Sequence, residues 1–222
     1  IDDLLDVSRI SRGKIVLRRG PVKLAEAVAH AVENTRPAMD AAGHALVVAL
    51  PPDPLVLDAD PARVTQVLTN LLTNAAKYTP RGGRVSVSAE ADGGFAAVRV
   101  ADTGVGVGAA DLERIFEPFA QADRVPGQVP DGLGVGLALV RSLAELHGGT
   151  ATAASDGPGK GSTFTVRFPL MPRAAGAATA DRPPPAPVRR RRVLVADDLK
   201  DSGDSLGELL RLMGMEVTVV HD

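Results

Sequence analysis

The stretch Thr69-Asn-Leu-Leu-Thr-Asn-Ala-Ala-Lys-Tyr-Thr79 carries regularly spaced polar side chains inside an otherwise apolar helical pattern. Asn70, Asn74 and Lys77 recur at helical spacing, which places them on one face of a helix. An Asn carbonyl oxygen can ligate Mg²⁺, and a lysine can meet phosphate oxygens. The face therefore fits an anion that carries a hard metal ion, although a solvated helix face accounts for this helix alone equally well.

The flanking residues predict that this helix begins at Pro61. Asp60 is a good N-cap residue, and proline fits the first helical position. Apolar residues with the helical period predict a buried stripe, namely Val64, Val67, Leu68, Leu71, Leu72 and Ala75. A second face, within an arc of about 80°, is polar and carries no acid; it consists of Arg63, Gln66, Asn70, Asn74 and Lys77.

The composition is that of a globular protein and narrows the function classes. The 222 residues are 45% hydrophobic and 23% charged, enough for one sizeable core plus a smaller unit. A net charge of −2 and only 3% aromatic residues argue against nucleic-acid binding. The absence of cysteine excludes disulfides, thiolate chemistry and Cys-zinc sites. Without a long apolar run or a signal peptide, we expect a cytoplasmic location.

The order of elements predicts an α+β fold, a two-layer sandwich rather than a doubly wound parallel sheet. Turn residues at Asp92-Gly93-Gly94 predict a hairpin. Besides the Pro61 helix, we expect helices at 1–12, 24–35 and 133–146, and strands at 14–19, 45–50, 55–57, 84–91, 95–101, 150–154 and 162–169.

After residue 170 the composition changes. Residues 171–191 are rich in proline and alanine and predict an extended linker. Residues 192–222 predict a β-α-β segment: a strand that ends in Asp197-Asp198, a helix, and a second strand at 216–220. Because the chain opens on Ile1 in a helical pattern, we expect it to be a piece of a longer protein.

Three glycine clusters follow the Pro61 helix. Asp102 precedes Gly104 and Gly106, and its carboxylate could accept an exocyclic amine beside a flat ring, although a plain turn has the same pattern. Gly132, Gly134 and Gly136 lead into a helix whose free N–H groups suit phosphates. This cluster could also mark a dinucleotide fold, but no strand feeds it directly. The third cluster, 157–161, precedes a strand and is not a P-loop.

In this order, the segments resemble the catalytic ATP-binding domain of sensor histidine kinases, within the ATPase superfamily that includes DNA gyrase and heat-shock chaperones. The resemblance covers roughly residues 1–170. The matching segments are Asn70–Thr79 (N box), Asp102–Gly106 (G1 box), Phe116–Phe119 (F box), Gly132–Gly136 (G2 box) and the closing motif Lys160–Phe164. Residues 1–19 resemble the end of the preceding dimerisation helix and a connecting strand, which leaves 20–170 as the catalytic domain.

The resemblance implies a binding site for ATP and Mg²⁺. Asn74 would ligate the metal and Asn70 would support the nucleotide, while Lys77 would contact phosphate. The base pocket would consist of Tyr78, Asp102, Gly104, Gly106 and Thr163. The G2 glycines Gly132, Gly134 and Gly136 would hinge a lid at Gln121–Asp131, with Phe116 and Phe119 anchoring its base.

Residues 192–222 resemble the start of a receiver domain, in which Asp197 and Asp198 would bind Mg²⁺. The whole would then be a hybrid histidine kinase that transfers phosphate from ATP to a histidine and onward to an aspartate. The resemblance places the phosphoacceptor histidine before Ile1 and the aspartate after Asp222. It implies as partners the histidine-bearing dimerisation helices of a homodimer and a receiver domain or response regulator, with no nucleic acid; regions before Ile1 could anchor the protein in a membrane.

Two rival functions stay open at this point. A hydrolysing ATPase of the same superfamily needs a general-base glutamate before the metal-binding Asn, and the helix from Pro61 to Asn74 contains none. A nucleotide-binding scaffold without kinase activity is disfavoured by the intact Asn74, Asp102 and G2 glycines. DNA binding through the basic run Arg189–Arg192 is a distant third, since a solvated linker end fits that run better.

Overall fold

A computed structural model describes Asp6, residues 15–120 and 134–172, and the backbone of two strands near the end of the chain. The chain divides into two compact units, Ile1–Pro172 and Arg173–Asp222. The described elements of the first unit are, in chain order, β1 (Gly20–Lys23), α1 (Leu24–Ala42), β2 (Ala45–Ala49), β3 (Val56–Ala59), α2 (Pro61–Tyr78), β4 (Arg84–Asp92), β5 (Phe95–Asp102), a 3-10 turn (Arg114–Phe116), α3 (Gly136–Leu146), β6 (Thr150–Ala154) and β7 (Ser162–Pro169).

A five-stranded mixed sheet organises this unit, in the order β2-β4-β5-β7-β6. β2 runs parallel to β4, whereas the other neighbouring pairs are antiparallel. β1 and β3 form a separate antiparallel pair. A mixed sheet combined with helices confirms the predicted α+β class.

One hydrophobic core joins the sheet to the three helices. Alternate residues of the central strands are buried, for example Val98 and Val100 in β5 and Val166 and Phe168 in β7. This period of two gives each strand one apolar face. The predicted stripe of α2 is confirmed, since all six of its residues are at most 3% exposed: Val64, Val67, Leu68, Leu71, Leu72 and Ala75.

Local signals set most element ends as predicted. The Asp60 side chain caps α2 by accepting from the N–H groups of Ala62 (3.0 Å) and Arg63 (3.3 Å). The hairpin between β4 and β5 closes through Gly93 and Gly94, whose φ angles of 56° and 84° suit the tight two-residue turn of a hairpin.

Three predicted element boundaries are wrong by three residues or more, and one of them is the start of α3, which lies at Gly136 instead of residue 133. α1 continues through Pro37 to Ala42, where Gly43 ends it in the left-handed conformation; burial of Met39 beyond the proline offsets the lost helical hydrogen bond. Ile15–Arg19 has no regular structure, and the first strand begins only at Gly20. The partner strand β3 is four residues long, so it pairs with Gly20–Lys23 and leaves nothing for earlier residues to pair with.

The second unit contains a parallel strand pair, β8 (Arg192–Ala196) and β9 (Glu216–Val220). Both strands were predicted, and parallel strands need a crossover connection such as the predicted helix. That helix, together with Asp197 and Asp198, lies outside the described residues, so the receiver assignment stays a prediction. In the described part of the chain, no helix combines the length and apolar character needed to cross a bilayer.

Candidate functional site

Three segments that are far apart in sequence meet beside the C-terminal end of α2. The carbonyl of Tyr78, the last helical residue, accepts the N–H of Val105 at 3.0 Å. Gly104 and Val105 in turn accept from the third glycine cluster: Gly161 N–H donates to Gly104 O at 3.1 Å, and Gly159 N–H donates to Val105 O at 2.6 Å. The N box, the G1 box and the closing motif therefore form one wall.

Glycine is required where these backbones approach most closely. A Cβ atom on Gly104 would overlap the carbonyl oxygen of Tyr78, and one on Gly161 would overlap the carbonyl oxygen of Asp102. Gly161 also has a φ of 72°, which L side chains rarely adopt. These glycines thus bring Asp102 and Tyr78 to the same wall.

Asp102 is held in a fixed orientation by two protein donors. Its Oδ1 accepts the N–H of Gly104 at 2.7 Å, and its Oδ2 accepts the hydroxyl of Ser162 at 2.5 Å. Each carboxylate oxygen keeps acceptor capacity beyond these bonds. The half-buried carboxylate can therefore accept an exocyclic amine as well.

Ser162 is a site residue that the sequence reasoning missed. It stands opposite Asp102 in the β5–β7 register, a pairing that no local pattern announces. Thr163, which was predicted in the base pocket, pairs instead with Ala101 and Ala154. Because successive strand side chains alternate, Thr163 lies on the sheet face opposite to Ser162 and the buried Phe164. The geometry favours Ser162 over Thr163 beside Asp102.

Ser155 is a second missed residue, and it fastens the G1 loop. Its Oγ accepts the N–H groups of Val107 (3.0 Å) and Gly157 (3.2 Å), and its hydroxyl donates to the Gly161 carbonyl at 2.6 Å. Gly106 packs against the Gly157 carbonyl here. The sequence did offer one signal for this role, because Ser155 stands between the predicted strand at 150–154 and the third glycine cluster.

The second wall is the C-terminal half of the α2 polar face. The buried Nδ2 donor of Asn70 has no hydrogen-bond partner among the described residues. One turn further, Asn74 is half-buried. Lys77 is exposed and lies over the ring of Tyr78, with Nζ 5.0 Å from the ring centroid, and within the described chain no carboxylate forms an ion pair with it.

These donors fit a magnesium-bound nucleotide. An unsatisfied buried amide donor is costly unless a ligand or water completes it, and an unpaired lysine suits an anion. Among the described residues, no three His, Cys, Asp or Glu side chains cluster as a metal site. The side chain of Asn74 carries an amide oxygen, which is the kind of ligand that Mg²⁺ prefers, so Asn74 is the candidate to hold a metal that arrives with the phosphates.

The N-terminal half of the same face is already engaged, contrary to the sequence-based grouping. Arg63 and Gln66 bind the carboxylate of Asp6, so both side chains are engaged within the protein. As predicted, α2 itself places no acidic residue on this face. The carboxylate that binds there belongs to Asp6, more than fifty residues earlier in the chain. Only Asn70, Asn74 and Lys77 continue as nucleotide-facing candidates.

The F box and the G2 box meet at the base of the predicted lid. Phe119 N–H donates to the Gly134 carbonyl at 3.0 Å. Phe116 is buried, with its ring edge-on to Phe164 at 6.4 Å and the Arg141 guanidinium 4.2 Å above it. Phe119 is 64% exposed with a φ of 66°, so its ring does not pack as an anchor; its backbone does the fastening.

α3 begins at Gly136 without a side-chain cap. Its first N–H groups are thus not taken by a capping side chain, which suits a phosphate. Gly132 and the predicted lid, Gln121–Asp131, lie outside the described residues.

Comparison with known proteins agrees with this geometry. Residues 59–172 match the family of histidine kinase-, DNA gyrase B-, and HSP90-like ATPases. Histidine protein kinase DivJ of Caulobacter vibrioides is 43% identical over 183 residues, covering 82% of this chain and 30% of DivJ. Sensor histidine kinase GacS of Pseudomonas protegens is 35% identical, covering 98% of this chain and 24% of GacS. The chain thus spans less than a third of these relatives.

Solved structures show the same fold. Full-length ShkA in complex with AMPPNP aligns with a TM-score of 0.68 at 28% identity, covering 100% of this chain and 44% of ShkA. The mycobacterial sensor histidine kinase MprB aligns at 0.62 and 27% identity, covering 69% of this chain and 100% of that structure. Through its converging N box, G1 box and closing motif and through these matches, the chain belongs to the histidine kinase-, DNA gyrase B-, and HSP90-like ATPase family and contains the catalytic ATP-binding domain typical of sensor histidine kinases.

Proposed function

We propose that this chain binds Mg-ATP and presents its γ-phosphate to a histidine of the same kinase. The observation that carries the proposal is the wall formed by Asp102, Gly104 and Tyr78 next to an α2 face with a buried, unsatisfied Asn70 donor. The wall with Asp102 suits a nucleotide base, and the α2 face with Asn70 suits phosphates and a metal. The two walls together therefore match the two ends of a nucleotide.

Each group has a separate task in this proposal. Asp102, held by Gly104 and Ser162, accepts the exocyclic amine of adenine. The ring of Tyr78 lies beside the base. Asn74 supplies a carbonyl oxygen to Mg²⁺, which neutralises phosphate charge when bound, and Lys77 meets phosphate oxygens.

The chemical step is a phosphoryl transfer. An imidazole nitrogen of the acceptor histidine forms a bond to the γ-phosphorus, the bond to the bridging oxygen breaks, and ADP leaves while the imidazole gives up its N–H proton to water. Positioning and charge neutralisation dominate such catalysis, so the domain needs no covalent nucleophile of its own. We further propose relay of the phosphate to an aspartate of a receiver domain, in a homodimeric hybrid kinase.

The assignment is tested by Asn74→Ala. We expect the affinity for AMPPNP in the presence of Mg²⁺, measured by calorimetry, to fall about tenfold or more, because the metal loses its amide ligand. Without Mg²⁺ the variant and the parent chain should bind alike. The unfolding temperature should stay close to that of the parent, since Asn74 makes no described hydrogen bond within the core.

The matched control is Asn34→Ala, which removes an exposed asparagine from α1. This variant should bind AMPPNP as the parent does. Unchanged Mg-dependent affinity in Asn74→Ala would remove Asn74 from the site, and absence of binding by the parent chain would overturn the proposed function itself.

A further inference from the structure

A polar cluster at the start of α2 ties Asp6 to the nucleotide-binding helix. Asp6 Oδ2 accepts from Arg63 Nη1 at 2.6 Å and from Gln66 Nε2 at 3.0 Å. Arg63 Nη1 also donates to Gln66 Oε1 at 2.7 Å, so each of the three side chains is hydrogen-bonded to the other two. We call Asp6, Arg63 and Gln66 the Asp6 clamp.

The clamp is shielded from water. The side chain of Asp6 is 11% exposed and that of Arg63 is 25% exposed. Charge pairs in such surroundings are screened less than surface pairs and depend strongly on both partners. Surface pairs of equal length, such as Arg99–Glu90 at 2.6 Å, lie in water and hold their partners weakly.

The clamp shares one helix face with the proposed phosphate site. Asn70 follows Gln66 by four residues, and Asn74 follows by four more, so the clamp and the site lie on successive turns. An α-helix is a stiff element over this length. The clamp therefore sets the position of Asp6 relative to Asn74 and to a γ-phosphate bound there.

Residues just before β1 are fastened to the same end of α2. The backbone N–H of Arg18 donates to Asp60 Oδ2 at 2.9 Å, on the N-cap of the helix. The guanidinium of Arg19 donates to the Leu146 carbonyl at 2.7 Å, at the end of α3. Asp6, Arg18 and Arg19 are thus each bonded to the domain.

We propose that Asp6 is a positioning residue: the Asp6 clamp fixes the segment that precedes the domain against α2, and so sets where the bound γ-phosphate is presented. This inference rests on the proposed function, because it concerns the helix that carries Asn70 and Asn74. It predicts that breaking the clamp separates nucleotide binding from phosphate transfer.

The first test measures the attachment itself. The chain has no cysteine, so Ser8→Cys and Thr73→Cys introduce the only two thiols for spin labels, one two residues after Asp6 in the sequence and one on the exposed side of α2. We expect one narrow distance distribution in the labelled parent. Arg63→Met should broaden it, and the reversed pair Asp6→Arg with Arg63→Asp should restore it.

Arg99→Met is the matched control, because it breaks an exposed pair of the same length. It should leave the distribution narrow. The Kd for Mg-AMPPNP should stay within about twofold in every variant, since distant sites add independently. A narrow distribution in Arg63→Met, or no recovery on charge reversal, would overturn the clamp while leaving ATP binding by the parent as a separate result.

The second test follows phosphate transfer in the full-length kinase. Arg63→Met should lower the rate of histidine phosphorylation at saturating ATP by roughly tenfold to a hundredfold, because misplaced reactants lose orientation. KM for ATP should not change, and charge reversal should recover part of the rate. A raised KM with an unchanged maximal rate would show that Arg63 acts on the nucleotide, which contradicts a positioning role.

Discussion

The carboxylate of Asp102 receives one donor on each oxygen, Gly104 N–H and the Ser162 hydroxyl. A carboxylate held by a single donor could still rotate about its bond to Cβ, whereas a donor on each oxygen prevents this rotation. The orientation of the carboxylate that we propose to recognise the base is therefore set by the protein before any ligand arrives. This pre-organisation reduces the entropy that binding must overcome.

Ser162→Ala tests this arrangement. We expect the affinity for ATP to fall about fivefold to tenfold, the loss of roughly 1 kcal/mol that one hydrogen bond contributes. Calorimetry with Mg-AMPPNP measures the change. The unfolding midpoint in urea should move little, because the site is half-buried.

Thr163→Val decides between the two neighbouring hydroxyls. Thr163 lies on the opposite sheet face, so this variant should bind like the parent, as should Thr165→Val on the same outer face. If Thr163→Val lowered the affinity for Mg-AMPPNP more than Ser162→Ala did, Thr163 and not Ser162 would line the base pocket.

At the scale of elements, α2 and α3 are joined through a buried histidine. His147 is 1% exposed and packs edge-on against Phe168 at 5.5 Å. Its Nε2 accepts the Asp60 N–H at 3.0 Å, so the proton is on Nδ1, which donates to the Leu143 carbonyl at 2.7 Å. The neutral imidazole therefore links the start of one helix to the end of the other.

Burial lowers the pKa of His147, and Arg19 lowers it further; the Leu143 hydrogen bond and the charges of Asp60 and Asp58 oppose the shift. In the unfolded chain the imidazole of His147 binds a proton near pH 6.5, its ordinary value, whereas in the folded chain it binds that proton only at lower pH. This contribution to stability is complete above about pH 6.5 and is lost as the pH falls through the folded-state pKa of His147.

Urea unfolding at pH 7.5 and pH 5.5 measures this effect. The parent should lose free energy of unfolding at pH 5.5. His147→Gln, which keeps polar atoms but does not titrate, should be less stable at pH 7.5 and should lose less on acidification. His30→Gln, a change of an exposed histidine, is the control and should follow the parent. An equal loss in His147→Gln would contradict the role of His147.

At the scale of the whole molecule, the chain is expected to bind ATP without consuming it. The helix that would carry a general base, from Pro61 to Asn74, contains no glutamate. Of the described histidines, His44 and His147 are buried, and His30 is exposed on α1.

With γ-labelled ATP, we expect no label on the chain and phosphate release close to the uncatalysed background. The Asn74→Ala chain provides the matched comparison, since it should differ from the parent in binding and not in turnover. Rapid phosphate release by the parent would favour the hydrolysing branch of the family, and efficient self-labelling would place an acceptor within these residues.

Local chemistry accounts for what the sequence predicted. The N-cap at Asp60, the six buried positions of α2 and the Gly93-Gly94 hairpin depend on neighbouring residues, so patterns of a few residues suffice. The four boxes and the closing motif could be identified from order and spacing. The end of α1 could not, because burial of Met39 outweighs the proline that usually stops a helix.

The α+β class, the ATPase family and the polar face of α2 all follow from the amino-acid sequence. Three contacts became visible only in the folded chain: Ser162 rather than Thr163 contacts Asp102, Ser155 fastens the G1 loop, and Asp6 binds half of the α2 polar face. The reason is physical: these contacts depend on strand register and on segments more than fifty residues apart in the first and last cases. A repeat period within one helix or strand carries no information about such pairings.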